Sequence, residues 1–267
     1  MPEKYVRHEG LPILVRHTGR TTLPQDPPPI GEGPPVLCLH DAGLQSSVFM
    51  DLLPEIAPDG GALAFDLPGH GRSGSLDSLP SIAEMSEMGR WVAQSCGATR
   101  PVLVGHGMGA LVALDWARTQ PVAGLVLCGV GLALGISDTA IETMRQVTRG
   151  KAPRPFDPAR VCAEGGREMM TKAYMEGIKT DPRATLVDLE ASRVWADTFV
   201  GQEAGLDCPI AIVSGAAEEA ACVARATELA AALPGSSTAT IASAAHFLPL
   251  EQPATLASEI LRIAEAA

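Results

Sequence analysis

The regular alternation of short apolar runs with helical patterns is the feature that most limits how this chain can fold. An opening hairpin pattern turns at Glu9 and Gly10, and six further apolar runs follow it. Strands that alternate with helices are typical of βαβ units around a mostly parallel sheet. We therefore predict an α/β fold with a doubly wound, mostly parallel sheet. The six runs are VLCLH (36–40), ALAFD (62–66), PVLVG (101–105), GLVLCG (124–129), PIAIVSG (209–215) and TATIAS (238–243).

Between these runs, apolar residues recur at helical spacing. One long segment contains helical patterns without any strand-like run. This segment, residues 133–205, predicts a helical cap inserted into a core domain made of residues 1–132 and 206–267. A chain of 267 residues can bury one substantial core, so we expect a single core domain with this cap. The other predicted helices cover 46–57, 81–97, 110–120, 219–233 and 252–266.

Charge and composition exclude several classes of partner. The chain has 20 basic and 31 acidic residues, and its formal charge of −11 would repel a phosphate backbone, so we expect no nucleic acid. It has no signal-peptide pattern and no run of about 18 uncharged apolar residues, so we expect a cytoplasmic protein that does not bind membranes. The six cysteines are widely spaced without a C-x-x-C pair, and we predict neither a metal nor a cofactor. The sequence does not indicate an oligomeric state.

Four motifs follow predicted strands, where ligands bind in open α/β sheets. They are HDAG (40–43), DLPGHGRSG (66–74), GHGMG (105–109) and AAHFLPLEQP (244–253). In this order they resemble the H-G-x-G loop, the D-x-P-G-x-G-x-S turn, the G-x-S-x-G elbow and the C-terminal histidine segment of the α/β-hydrolase fold family. The resemblance extends from the hairpin to the last helix and spares only the cap.

Gly107 stands where the resemblance places the nucleophilic Ser, at the turn between a strand and a helix. No Ser, Cys or Asp adjacent to Gly107 in the sequence can replace the missing hydroxyl. By the same resemblance, the backbone N–H groups of Ala42 and Met108 would form the oxyanion hole. Asp41 departs from the family's usual Gly in the first of these loops.

The resemblance also implies a catalytic base and an acid, in the chain order of nucleophile, acid and histidine. His246 matches the family's base. Glu218 matches the acid, and Glu219 is an adjacent alternative. The other two histidines near the site, His40 and His106, occupy positions that are mostly structural in this family.

The Gly at position 107 also creates a match to the dinucleotide-binding pattern G-x-G-x-x-G/A, from Gly105 to Ala110. That pattern requires a carboxylate after the next strand to bind the ribose hydroxyl. The run GLVLCGVG (124–131) ends without an acid. Nucleotide binding is therefore not the favoured interpretation.

Three functions remain open, and each involves a small-molecule ligand. The first is an enzyme that acts on a small carbonyl compound or ester without a Ser nucleophile, by acid–base or water-mediated hydrolysis or C–C cleavage. The second is a serine ester hydrolase inactivated at the nucleophile position. The third is a noncatalytic ligand-binding protein. Ten basic residues in 133–205, Arg160 among them, interleave with acids and favour a solvated surface; a small anionic or carbonyl substrate under the cap is the alternative.

Overall fold

The computed structural model describes residues 1–131, 134–199 and 206–267. Eight strands form one sheet in the order β1-β2-β4-β3-β5-β6-β7-β8. The pairs β1–β2 and β2–β4 are antiparallel, and the other neighbouring pairs are parallel. Every predicted strand is present. Their bounds are β1 Glu3–His8, β2 Leu11–His17, β3 Val36–Leu39, β4 Ala62–Phe65, β5 Val102–His106, β6 Gly124–Cys128, β7 Ile210–Gly215 and β8 Ser237–Ile241.

The central strands are buried on both faces because helices cover both sides of the sheet. Successive side chains of a strand point to opposite faces. Leu37 and Leu39 of β3 accordingly pack into one apolar cluster with α2 (Ile82–Ser95) and α3 (Met108–Thr119). Val36 and Cys38 pack into a second cluster, which includes residues of α1 (Leu53–Ile56) and α9 (Pro253–Glu265). The predicted doubly wound α/β fold is confirmed.

The predicted helix over 46–57 is wrong in its extent. The structure has a 3₁₀ helix at Ser46–Phe49 and a separate four-residue helix, α1. Pro54 lies in the first turn of α1. Proline lacks a backbone N–H and is tolerated in the first turn of a helix, so it favours a new helix here rather than a continuous one.

Helices connect β6 to β7, as the sequence pattern indicates. They are α4 (Asp138–Thr148), α5 (Gly166–Ile178) and α6 (Pro182–Phe199), with 3₁₀ turns at Pro158–Arg160 and Ala163–Gly165. The predicted cap boundaries at 133 and 205 lie outside the described residues, so the division into core and cap stays a prediction. After β7 and β8 come α7 (Ala220–Ala232) and the short α8 (Leu248–Glu251).

A buried ion pair holds α6 against the loops that follow the strands. Asp188 Oδ2 of α6 lies 2.8 Å from His70 Nε2, and both side chains are fully buried. The same carboxylate oxygen accepts a hydrogen bond of 2.8 Å from the backbone N–H of Gly43. These contacts fix α6 above the carboxyl ends of β3 and β4. Within the described ranges, no helix has the length and apolarity required to cross a membrane.

Candidate active site

The sheet brings the predicted site residues together, because each lies in a loop at the carboxyl end of a strand. Ala42 follows β3, Gly107 lies between β5 and α3, Glu218 follows β7 and His246 follows β8. Met108 is the first residue of α3. Parallel strands end at the same edge of a sheet, so residues far apart in the chain meet there.

Gly107 has a backbone conformation that residues with a Cβ rarely adopt, with φ 52° and ψ −115°. A Cβ built at this position would lie 2.0 Å from Oδ1 and 2.2 Å from Cγ of Asp41. The carboxylate of Asp41 therefore fills the space of the missing nucleophile side chain. No side chain larger than hydrogen fits at position 107 while Asp41 keeps this conformation.

Both carboxylate oxygens of Asp41 are engaged. Oδ1 accepts hydrogen bonds of 2.8 Å from the backbone N–H groups of Ala42 and Met108. Oδ2 lies 3.1 Å from His246 Nε2 and accepts a 3.1 Å hydrogen bond from Arg160 Nη2. The structure thus brings together the two amides predicted for an oxyanion hole. Both amides already bind Asp41, so a substrate oxyanion would have to displace that carboxylate, and their role as an oxyanion hole stays a prediction.

His246 lies between two carboxylates and contacts both. Its Nδ1 lies 3.2 Å from Glu218 Oε2, on the side of the ring opposite Asp41. Glu219 is exposed at the N-terminus of α7, and its backbone N–H donates to Glu218 Oε1 at 3.3 Å. The contact with His246 is therefore made by Glu218. The side chains of His246 and Asp41 are each 7% exposed, so little water reaches the contact between them.

The charges in this cluster balance. Burial would raise the pKa values of Asp41 and Glu218, but hydrogen bonds from His246 and the nearby Arg160 charge lower both below their usual range. Burial and Arg160 would lower the pKa of His246, but its hydrogen bonds to the two carboxylates raise it instead. Below the raised pKa of His246, the resting site therefore holds two carboxylates, one imidazolium and one guanidinium.

His40 and His106 have structural partners. His106 Nε2 contacts the backbone O of His246 at 2.8 Å, and burial lowers the pKa of His106 to about 4. His40 Nε2 accepts a hydrogen bond of 3.2 Å from the backbone N–H of Leu67, and burial likewise lowers its pKa to about 4. Both rings are thus neutral near pH 7 and hold loops in place.

Asp41, His106 and His246 each offer a ligand atom, and these atoms lie within 4.8 Å of one another. Imidazole and carboxylate groups are suitable ligands for Zn²⁺ and similar ions. However, the guanidinium of Arg160 already places a positive charge 3.1 Å from Asp41 Oδ2. A cation bound to that oxygen would be repelled, and we assign no step to a metal.

Comparison with known proteins identifies the class. The model of the alpha/beta hydrolase family matches residues 36–259. An enol-lactonase from Burkholderia xenovorans LB400 superimposes with a TM-score of 0.78 at 18% identity, covering 97% of this chain and 98% of that one. A thermophilic esterase from Thermogutta terrifontis superimposes with a TM-score of 0.78 at 22% identity, covering 98% and 97%. At these identities the likeness shows the fold.

Curated relatives match over shorter stretches. The dihydrolipoyllysine-residue acetyltransferase component of the Pseudomonas putida acetoin cleaving system is 26% identical over 155 residues, 55% of this chain and 42% of that protein. A pimeloyl-(acyl-carrier protein) methyl ester esterase from Xanthomonas oryzae pv. oryzae is 39% identical over 100 residues, 37% of each chain. The matches thus span less than half the length of these relatives. The chain belongs to the alpha/beta hydrolase family.

Sequence reasoning missed two residues of the site, Asp41 and Arg160. In the sequence, Asp41 is a departure from the family's Gly, and no motif links it to the second departure at Gly107. One departure removes a side chain and the other adds one, so the two are complementary in volume. That complementarity is a signal in the sequence that could have linked Asp41 to Gly107. Arg160 lies in the segment between β6 and β7, where no recognised motif marks it.

Proposed function

We propose that this protein is a hydrolase in which the carboxylate of Asp41 replaces the Ser nucleophile of the family, with His246 and Glu218 as base and acid. The observation that carries the proposal is the position of Asp41. One oxygen faces His246, and the other lies between the amides of Ala42 and Met108. This arrangement suits a carboxylate that forms a covalent ester and is then released by water.

In the first step, Asp41 Oδ2 attacks a saturated carbon of the substrate that carries a leaving group. A bond forms between Oδ2 and that carbon, and the leaving group departs with its electron pair. Because the substrate is attacked at saturated carbon, no charge develops on a substrate carbonyl oxygen. The amides of Ala42 and Met108 therefore do not need to leave Asp41 Oδ1.

In the second step, water hydrolyses the ester. Asp41 is now neutral, so His246 loses one of the carboxylates that raised its pKa. The imidazolium releases its proton to solvent, and the neutral ring can then act as a base oriented by Glu218. It takes a proton from water, whose oxygen attacks Cγ of Asp41. The negative charge then develops on Oδ1, where the two amides stabilise it. Collapse breaks the bond from Cγ to Oδ2, and the alcohol leaves with the proton from His246. Asp41 then passes its remaining proton to His246, which restores the resting imidazolium.

As expected from the sequence, the proposed enzyme lacks a Ser nucleophile. Its chemistry differs from the expected acid–base or water-mediated reaction, because Asp41 attacks a saturated carbon. The expected oxyanion hole for an ester or small carbonyl substrate would require Asp41 to move away from Ala42 and Met108. The proposed route uses every group in its resting position. Compounds with a leaving group on a saturated carbon next to a carbonyl would be compatible with attack by Asp41 and with the expected carbonyl substrate. They therefore belong in the substrate panel.

A noncatalytic ligand-binding protein is the second candidate. The same occupied amides favour it, because Asp41 blocks the position of a substrate carbonyl oxygen. The simple loss of Ser from a serine hydrolase is less favoured. It explains Gly107 but gives no reason for a carboxylate that fills the vacated space.

Oxygen labelling tests the proposal once a substrate is found in a panel of alkyl halides, α-halo carbonyl compounds, epoxides, activated esters, β-diketones and β-keto acids. In a single turnover in H₂¹⁸O, we expect the label to enter the Asp41 carboxylate and not the product alcohol. Peptide mass spectrometry locates the label, and the peptide containing the buried Asp66 is the internal control. His246→Gln should accumulate the covalent ester on Asp41.

Label in the product of the first turnover would exclude a covalent Asp41 ester and support direct attack by water. A parent protein that is inert across the whole panel would favour the noncatalytic candidate. In that case His246→Ala should leave the affinity for any bound ligand nearly unchanged. If the panel yields activity that His246→Ala does not reduce, the assignment of the base is wrong.

A further inference from the structure

Backbone contacts hold Arg160 above the site without help from its side chain. The backbone N–H of His246 donates to the carbonyl O of Arg160 at 3.1 Å. Two residues further along, the N–H of Cys162 donates to Glu251 Oε1 at 2.5 Å. Glu251 Oε2 accepts from the N–H of Ala245 at 2.9 Å, so one carboxylate joins this stretch to the histidine loop. The side chain of Arg160 can therefore be changed while the chain stays in place.

The guanidinium of Arg160 lies between the buried cluster and solvent. Nη2 donates to Asp41 Oδ2 at 3.1 Å, and Cζ lies 5.4 Å from the centre of the Phe247 ring. The Arg160 side chain is 41% exposed, whereas that of Asp41 is 7% exposed. A guanidinium has five N–H donors in a planar fork that matches a carboxylate. The bond to Asp41 uses Nη2, and among the residues that the structure describes no other acceptor contacts the fork, so its exposed donors can bind an incoming anion.

The pairing of Arg160 with Asp41 depends on the charge of Asp41. In the resting site, Asp41 and Glu218 balance His246 and Arg160. When Asp41 is esterified it becomes neutral, and the guanidinium loses its ionic partner beside the bound substrate. An unpaired, partly buried cation is costly, and a carboxylate on the substrate would satisfy it with charge-assisted hydrogen bonds.

We infer that Arg160 is the anion-binding residue of this site and that the substrate carries a carboxylate, which the outer edge of the guanidinium holds above Asp41. The timing of this contact, with the strongest binding after esterification, rests on the proposed function. The location of the anion site rests only on Arg160, its exposed donors and its distance from Asp41. Arg160 would thereby select carboxylate-bearing substrates over neutral analogues.

Titration with benzoate and with neutral benzamide tests the anion site without any knowledge of the substrate. Asp41→Asn imitates the neutral, esterified residue. Because the Arg160 side chain is partly exposed, its charge-assisted hydrogen bond should make this variant bind benzoate about tenfold more tightly than the parent, by calorimetry, which corresponds to about 1.4 kcal/mol. Benzamide should bind at least about tenfold more weakly than benzoate.

Arg160→Gln in the Asp41→Asn background should remove this gain in benzoate affinity. The matched control is Arg145→Gln in the same background. Arg145 is 42% exposed and pairs with Glu190 at 2.6 Å, so it has similar exposure and also lies in an ion pair. The control should leave benzoate binding unchanged.

Three results would overturn the inference: equal benzoate affinity with and without Arg160, equal affinity for benzoate and benzamide, or no benzoate binding in either the parent or Asp41→Asn. The labelling of Asp41 is a separate measurement. A protein that labels Asp41 but does not bind benzoate through Arg160 would retain the proposed function and lose only the anion site. A protein that binds benzoate through Arg160 but does not label Asp41 would retain the anion site and lose the proposed function.

Discussion

The exchange of Gly107 for Ser is the most direct test of the spatial relation between Gly107 and Asp41. A Cβ at position 107 would lie 2.0 Å from Asp41 Oδ1, whereas non-bonded atoms pack at about 3.5 Å. We therefore expect Gly107→Ser to lose about 1 to 3 kcal/mol of unfolding free energy through overpacking. The positive φ of 52° should cost about 1 to 3 kcal/mol more.

The matched control is Gly97→Ser. Gly97 also has a positive φ, 73°, but a Cβ there would meet no atom within 4 Å. This control measures the cost of backbone strain without crowding. Urea denaturation of Gly107→Ser, Asp41→Gly and the double variant then completes a double-mutant cycle. Because Asp41→Gly removes the crowded carboxylate, we expect a favourable coupling of about 1 to 3 kcal/mol between the two substitutions.

The same variants test function. Gly107→Ser alone should not hydrolyse p-nitrophenyl esters, because the new hydroxyl and the carboxylate of Asp41 compete for one space beside His246 and the two oxyanion amides. The double variant frees these amides and places a hydroxyl near His246, so it should gain ester hydrolysis. The reasoning is refuted if Gly107→Ser is no less stable than Gly97→Ser and the cycle is additive. It is also refuted if Gly107→Ser alone becomes an esterase.

Three further predictions concern the acid and the buried histidines. Glu218→Gln should reduce any activity found in the substrate panel by up to about 10⁴-fold, whereas Glu219→Gln should leave it unchanged. Glu218→Gln should also lower the pKa of His246, measured by NMR titration, because it removes one of the carboxylates that favour the imidazolium. Asp188→Asn should cost about 3 to 5 kcal/mol in urea denaturation below pH 6.5, because it leaves a charged His70 unpaired. Burial would lower the pKa of His70, but Asp188 raises it. The loss of unfolding free energy in Asp188→Asn should therefore decline as the pH rises through the raised pKa of His70. A loss that does not depend on pH would contradict the pairing.

Local patterns were sufficient to predict the strands and most of the helices. The runs around Leu37 and Leu103 are apolar on both faces, as buried parallel strands must be, and this property is visible without any tertiary information. The helix over 46–57 failed because the apolar spacing continues through Pro54, while the backbone begins a new helix there. Periodicity describes which residues are buried, and it does not detect such a break.

The site was only partly predictable. Glu218 and His246 follow strands in the order of the family, and the structure places them in contact at 3.2 Å. Arg160 was one of ten basic residues in a segment without a motif, and its charge alone did not distinguish it from its neighbours. Its distance to Asp41 depends on how the segment between β6 and β7 packs over the sheet. That packing is a long-range property that a single sequence does not display.

The sequence by itself determined the family, the sheet and the absence of a hydroxyl at Gly107, because each depends on residue types at fixed short spacings. Only the tertiary structure decided what replaces that hydroxyl. Asp41 is 66 positions earlier in the chain, and its carboxylate reaches Gly107 because β3 and β5 are neighbours in the sheet. The missing Cβ of one residue and the added carboxylate of the other occupy the same volume, and shared volume is a property of the folded chain.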